Sequence, residues 1–252
     1  MSKFSIHNKV IFLTGSTGHI VGEFVNEFIK DGAICISTDS REEKLHDQIK
    51  SIESENLHTY KLDVTNPDEW KMVVAEVMKK FGRIDGLVNG AGMNNPSKFF
   101  DIDPENFKKI FDVNLFGMLH GCQEIGKIMV NQKQGSIINI SSTAAEPPLS
   151  NAFAYSASKA GVTNLTKNLA REFGKTGVRV NSLRPGFFPT EWNRKNFLTQ
   201  DRIDSILNHT PMGRFGSPDE LTSAVQWLLC ESSSFVTGSE IIVDGGFSCQ
   251  TI

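Results

Sequence analysis

A chain of 252 residues that is 39% hydrophobic can build one large α/β core, and its net charge of −3 leaves no basic excess for nucleic acid. Cys35, Cys122, Cys230 and Cys249 are scattered without CxxC spacing, which argues against a disulfide framework, a zinc site or any other metal site. No apolar run reaches the ~20 residues of a bilayer span, so no membrane partner is expected. MSKFSIHNKV at the N-terminus lacks a signal-peptide core, and the expected compartment is a reducing cytoplasm. Cys35 and Cys122 sit in apolar segments and read as core thiols.

Val10–Thr14, VIFLT, is a continuous apolar run of the kind buried on both faces of a sheet. A turn from Gly15 to Gly22 follows. The next helix carries Ile20, Phe24, Phe28 and Val21, Val25, Ile29 at helical spacing and closes at Gly32. Strand, glycine turn and helix suit a dinucleotide: the glycines admit a pyrophosphate, and the helix N-terminus receives its charge. The second strand, Ala33–Thr38, ends at Asp39, whose carboxylate suits ribose hydroxyls and repels a 2′-phosphate. The competing reading of Asp39 is a cap for the next helix. Arg41, just beyond the strand, offers a 2′-phosphate a cation.

A polar helix from Arg41 to Glu53 leads to a strand at Thr59–Leu62 and then Asp63-Val64-Thr65. Asn66 and Pro67 open another helix, which Gly82 stops after Phe81. Gly86–Asn89 is the fourth strand, ending in Asn89-Gly90-Ala91-Gly92, small residues that leave room for a ligand at the sheet edge. Asp103-Pro104 begins a long helix through Asn114 to about Asn131, in which glycines at 117, 121 and 126 indicate close packing or a bend. Asn114 by itself reads as a satisfied core amide.

Ile137–Ile140 is a buried strand, with Ser142 at its exit. The following helix carries Tyr155 and Lys159, four residues apart and so on one face. A phenol is a poor base at neutral pH unless an ammonium favours the phenolate, and a hydroxyl can orient a substrate oxygen. Tyrosine, lysine and serine together suit proton transfer at an alcohol or carbonyl oxygen. The chain continues with a strand at Val178–Leu183, then Arg184-Pro185-Gly186. A long excursion from Phe187 to Ser217 holds a short helix near Asp201–Asn208; loops of this length are usually functional. A helix from Pro218 to Glu231 and a strand at Glu240–Val243 close the fold. The alternation predicts an α/β architecture: a single doubly wound parallel sheet of about seven strands with helices on both faces, spanning residues 1–252 as one domain.

Taken jointly, T-G-x-x-G, N-G-A-G, D-V-N, S-S with Y-x-x-x-K, R-P-G-F-F-x-T and V-D-G-G resemble the short-chain dehydrogenase/reductase family, in family order over essentially the whole chain. That resemblance implies a Rossmann fold and an NAD(P)-dependent oxidoreductase acting on a small molecule. It makes Tyr155 the general acid/base, Ser142 the group that orients the substrate oxygen, and Lys159 the ribose ligand that lowers the tyrosine pKa. Asn114 matches the asparagine of a proton relay to Lys159. Cofactor contacts carried over are Gly15, Thr17, Gly18, Ile20, Asp39, Asp63, Val64, Asn89, Ala91, Gly92, Tyr155, Lys159, Pro185, Gly186, Phe188 and Thr190. Asp63 falls at the adenine, Asn89 near the adenosine, and Thr190 near the nicotinamide amide. NAD is the expected cofactor, with NADP kept open by Arg41. One departure stands out: the family turn is T-G-x-x-x-G-x-G, and His19 and Val21 replace its last two glycines. A branched Val21 is expected to crowd the cofactor's close approach.

PGFFxTExNR, HTPMGRFGxPxEL and the SFVTG…VDGGFS ending are similar to sugar-acid members of the family, the D-mannonate oxidoreductases and gluconate 5-dehydrogenases. A substrate carboxylate calls for a cation. Arg194 is the first candidate, with Arg184 and Arg214 behind it, and Trp192 is a candidate wall of the substrate site. The alternatives are an NADPH-dependent carbonyl reductase for another ketone and a catalytically idle dinucleotide-binding protein. The family resemblance also implies a homotetramer joined through the Asp103–Asn131 and Tyr155–Gly174 helices.

Overall fold

Short β-branched and aliphatic runs pair into a seven-stranded, all-parallel sheet in the computed structural model, which describes residues 2–189 and 198–249. The strands are β1 (Val10–Thr14), β2 (Ile34–Asp39), β3 (Leu57–Lys61), β4 (Gly86–Asn89), β5 (Gly135–Ile140), β6 (Val178–Pro185) and β7 (Glu240–Val243). Their order is β3-β2-β1-β4-β5-β6-β7. The order reverses between β1 and β4, and the crevice beyond the carboxyl ends of strands at such a switch point is where open α/β sheets take ligands. Thr14 is in register with Thr38 of β2 and Asn89 of β4, so three strand ends meet there.

Alternation along the strands makes two cores, one on each face. Phe12, Ile36, Leu87, Ile137 and Val180 face the helices α3 (Pro67–Phe81), α5 (Gly117–Gln132) and α6 (Phe153–Phe173). Ile11, Leu13, Cys35, Val88, Ile138 and Leu183 face α1 (His19–Lys30) and α8 (Asp219–Leu229). Trp70 is fully buried, stacks on Phe12 at 5.5 Å, and donates from Nε1 to the Val64 carbonyl at 3.0 Å. Burying a large apolar side chain of this kind stabilises by roughly 1.5–3 kcal/mol. Among the described residues no helix is long and apolar enough to cross a membrane.

The expected long helix is interrupted. It comprises α4 (Pro104–Phe111), a π-helical turn at Asp112–Phe116, and α5. Asp103 caps α4, accepting from the Glu105 and Asn106 N–H groups. The glycines after the π turn serve close packing. A Cβ on Gly117 would stand 2.6 Å from Val64 Cγ2, and one on Gly121 would stand 2.7 Å from the Trp70 ring. Strand ends also move: β2 takes in Asp39, which pairs with Lys61, and β5 begins at Gly135, where Gly135 and Ser136 pair with Val178 and Arg179. The excursion carries α7 (Gln200–His209), and α2 (Glu42–Ile52) follows β2.

Candidate active site

Gly15 leaves β1 with φ +65°, a conformation that favours glycine, and a Cβ there would stand 2.8 Å from Ala91 Cα. The phosphate turn and the Asn89–Gly92 loop therefore touch backbone to backbone. Gly18 is the N-cap of α1, and no side chain caps the helix. The unpartnered N–H groups of its first turn fit a pyrophosphate through partial charge and direction. His19 is exposed at the first helical position. Val21 overturns the expected crowding. Its side chain is 4% exposed and belongs to the core between α1 and the sheet. A Cβ on Gly90 would collide with its Cγ2, so the bare glycine is what accommodates the branched residue. Ile20 packs against the same core.

Asp39 is 5% exposed. It accepts from Thr17 N and Oγ1 at 3.3 and 2.6 Å, and from Arg41 N, Nε and Nη2 at 3.1, 2.9 and 3.0 Å. Burial pushes its carboxyl up, but the hydrogen bonds from Arg41 and Thr17 outweigh burial and hold it below the usual range. No side chain caps α2, whose N-cap is Arg41. The Leu62 N–H donates to the Asp39 carbonyl at 3.0 Å and draws the Asp63 loop alongside. Asp63 is exposed, with Oδ1 bonded to Thr65 N and Oγ1. Val64 turns inward against Gly117.

Asn89 departs from its expected place near an adenosine. Strand alternation aims its amide into the interior, where Nδ2 donates to Asn139 Oδ1 at 2.9 Å and lies 3.4 Å from Cys122 Sγ. Its buried Oδ1 has no hydrogen-bond partner among the described residues. Ala91 and Gly90 are held instead by their N–H groups, which donate to Thr14 Oγ1 at 3.2 and 3.1 Å. Burial pushes the Cys35 and Cys122 thiols up to about 12, so neither is an available nucleophile.

Ser142 leaves β5 in extended backbone. Its Oγ accepts from Ala144 N at 3.0 Å and stands near enough to the Tyr155 phenol to draw its pKa down. Lys159, one turn along α6, is 4% exposed; Nζ donates to the Ile140 carbonyl at 2.7 Å and lies 5.7 Å from the Tyr155 ring centroid. Ser141 Oγ donates to the Lys159 carbonyl at 3.0 Å, pinning the end of β5 to the helix. Asn114 sits in the π turn with its amide fully engaged: Oδ1 accepts from Met93 N at 2.8 Å, and Nδ2 donates to the Met93 carbonyl and to Ser158 Oγ, each at 3.0 Å. A Cβ on Gly92 would stand 3.4 Å from Asn114 Oδ1 and 3.6 Å from Lys159 Nζ, so the loop, the asparagine and the lysine share one corner. π turns recur at functional sites. Ser158 and Met93 escape a reading of the sequence; the one hint was Ser158 lying three residues after Tyr155.

The titration of the pair differs from expectation. Burial raises the Tyr155 phenol, and only the Ser142 hydroxyl draws it back. Burial also lowers Lys159 to about 8. The reason is geometric: Nζ spends its short hydrogen bond on Ile140, and desolvation dominates both groups. The arrangement can still move a proton at an oxygen brought between Ser142 and Tyr155.

Pro185 ends β6 opposite Val243, the Gly186 N–H donates to the Val243 carbonyl at 2.9 Å, and Phe188 packs over Gly216. Thr190, Trp192 and Arg194 lie outside the described residues. Arg184 and Arg214 are not free for a carboxylate. Arg184 is 6% exposed and donates to Glu240 at 2.8 Å and to the Glu146 carbonyl at 2.6 Å. Arg214 is forked onto Glu220 at 2.8 and 2.7 Å.

A family model described as Enoyl-(Acyl carrier protein) reductase matches residues 20–248. A 3-oxoacyl-[acyl-carrier-protein] reductase FabG from Thermotoga maritima is 35% identical over 246 residues, covering 96% of this chain and 98% of that protein. A 2-dehydro-3-deoxy-D-gluconate 5-dehydrogenase from Formosa agariphila is 31% identical over 247 residues, covering 96% and 94%. The solved structure of a gluconate 5-dehydrogenase from Burkholderia cenocepacia, in complex with NADP and tartrate, is 29% identical with a TM-score of 0.93, covering 99% of this chain and 98% of that one.

Proposed function

The chain belongs to the short-chain dehydrogenase/reductase family, and from that premise we propose that it interconverts a secondary hydroxyl and a ketone on a sugar acid, preferring NAD(H). Family membership makes it an oxidoreductase acting on CH–OH with a nicotinamide dinucleotide. The proton-transfer reading is carried by one observation: the Ser142 hydroxyl and the Tyr155 phenol stand close enough to influence each other beside a buried Lys159, in a fold whose glycine turn is fit for a dinucleotide.

The bound dinucleotide supplies the hydride chemistry. In this reading Gly15, Thr17, Gly18 and Ile20 hold its phosphates, Asp39 its adenosine ribose, and Asp63 and Val64 its adenine. Ala91 and Gly92 line its middle, and Pro185, Gly186, Phe188 and Thr190 its nicotinamide end. Ser142 orients the substrate oxygen, Tyr155 exchanges a proton with it, and Lys159 holds the nicotinamide ribose. Asn114 fixes the Met93 backbone and Ser158 around the lysine. A catalytically idle binder would have no use for this proton-transfer group.

Two similar proteins support the sugar-acid reading, one named for 2-dehydro-3-deoxy-D-gluconate and one for gluconate, the latter holding the hydroxy-diacid tartrate. Screening purified protein against hexuronates, ketohexonates and simple ketones with both cofactors tests it. Turnover confined to apolar ketones would reject it. The second reading, an NADPH-dependent reductase of another ketone, is favoured by Arg41, whose side chain is 52% exposed beside Asp39, and by the likeness to an acyl reductase. We further take residues 1–252 as one cytoplasmic domain acting as a homotetramer. Phe99, Phe100 and Phe153 form a ring cluster with Phe100 97% exposed, a face suited to cover by a second copy.

A further inference from the structure

We infer that Arg202 is the cation that receives the substrate carboxylate; the inference rests on the sugar-acid reading above. An open cleft of about 970 Å³ runs along α7 and is bordered by Leu149, Phe187, Thr199, Arg202, Ser205 and His209. Its lining draws on the segment between Ser142 and Tyr155 and on the segment after β6. The Leu149 N–H lies 3.4 Å from the hydroxyl of Ser156, the residue after Tyr155, and Phe187 follows Pro185-Gly186 directly. Small-molecule sites commonly measure ~300–1,000 Å³, so a six-carbon acid fits with space to spare.

Charge singles out Arg202 within this cleft. It is half-buried, and its guanidinium makes no hydrogen bond or ion pair among the described residues. The other described arginines are committed or remote. Arg41 holds Asp39, Arg83 holds Asp85, and Arg179 donates to the Leu228 and Cys230 carbonyls. Arg184 holds Glu240, Arg214 holds Glu220, and Arg171 is in the last turn of α6. A guanidinium suits a carboxylate through two parallel N–H···O bonds. Its backbone is fixed: the Arg202 N–H donates to the capping Thr199 hydroxyl at 3.4 Å, and Ile206, 7% exposed, anchors the helix. Position in the first turn adds the positive end of the helix dipole. Asp201 also borders the cleft, but it is the chain neighbour, about 100° around the helix axis, and with Ser205 it offers acceptors to the hydroxyls of a polyol. A cation, a carboxylate and hydroxyls along one wall match a polyhydroxy acid better than an acyl chain.

The test compares reduction of 5-keto-D-gluconate with that of L-sorbose, which carries CH₂OH in place of the carboxylate. Arg202→Gln should lose at least ~30-fold in kcat/KM on the acid, mainly through KM, and less than about threefold on L-sorbose. Arg202→Lys should recover part of the loss, and the NADH dissociation constant should not move. An Arg202→Gln variant that keeps full activity on the acid, or loses equally on both substrates, overturns the assignment; Arg194→Gln measured alongside shows whether that residue takes the role. A wild type inert toward 5-keto-D-gluconate and the hexuronates overturns the sugar-acid reading itself, and this inference with it.

Discussion

Tyr155 and Lys159 respond to burial in opposite directions, and that makes two single-residue outcomes computable. Tyr155→Phe removes the exchangeable proton and keeps the ring, so turnover should fall by at least ~100-fold while the nucleotide dissociation constant stays within error. Near-normal turnover would remove Tyr155 from the chemistry. Lys159 has its ammonium lowered from 10.5 to about 8 by burial. Between these values the unfolded chain binds more protons than the folded one, so this group makes stability rise with pH across that window; below it the full cost of the buried charge is present. Lys159→Met keeps the stem and deletes the titration. From pH 8 to 10.5 the wild type should gain about 3 kcal/mol in unfolding free energy relative to the variant. Parallel urea-derived stability curves would reject a depressed lysine. The pairing of Tyr155 with Lys159 was legible because a four-residue step fixes a common helix face. The engagement of Arg184 was not: its partner, Glu240, is 56 residues away on the neighbouring strand, and no local pattern records such a contact.

Between elements, the contact of the phosphate turn with the Asn89–Gly92 loop turns on Val21 and Gly90. A substituted Cβ at Gly90 would also stand 3.0 Å from the Thr14 carbonyl. Gly90→Ala therefore overpacks the junction and should destabilise by about 1–3 kcal/mol. Val21→Ala alone should destabilise by leaving a small cavity. In the double variant the smaller side chain relieves part of the collision, and the losses should sum to less than the two singles, as expected of residues in contact. Strictly additive losses in urea unfolding would show that the two positions do not share the space. The strands and helices themselves were visible from apolar period and caps: Asn66 and Asp103 both accept from the N–H groups of their helices. The π turn at Asp112–Phe116 was not, because one widened turn leaves the hydrophobic spacing of its flanks almost unchanged. Only the glycines after it signalled that the helix lies unusually close to Val64 and Trp70.

At the scale of the molecule, the candidate nucleotide site is assembled from the ends of β1, β2 and β4, adjacent strands of one hydrogen-bonded sheet. A ligand bound there stabilises the folded state as a whole, so thermal unfolding reports its affinity without any substrate. A nucleotide at 100 times its dissociation constant adds about 2.7 kcal/mol, and a chain of this size shifts by roughly 2–4 °C per kcal/mol. A midpoint rise of about 5–10 °C is therefore expected at saturation. NADH and NADPH separate on chemistry already in place. Asp39 is 5% exposed and ionised below the usual carboxylate range, so it can accept from ribose hydroxyls and repels a 2′-phosphate. Arg41 opposes this, because its half-exposed guanidinium needs only to leave Asp39 to meet that phosphate. At equal concentration NADH should give the larger shift in the wild type. Arg41→Ala should widen the NADH advantage by removing that cation while leaving Asp39 in place. A larger NADPH shift in the wild type, abolished by Arg41→Ala, would assign the ribose site to Arg41 and favour the carbonyl-reductase reading.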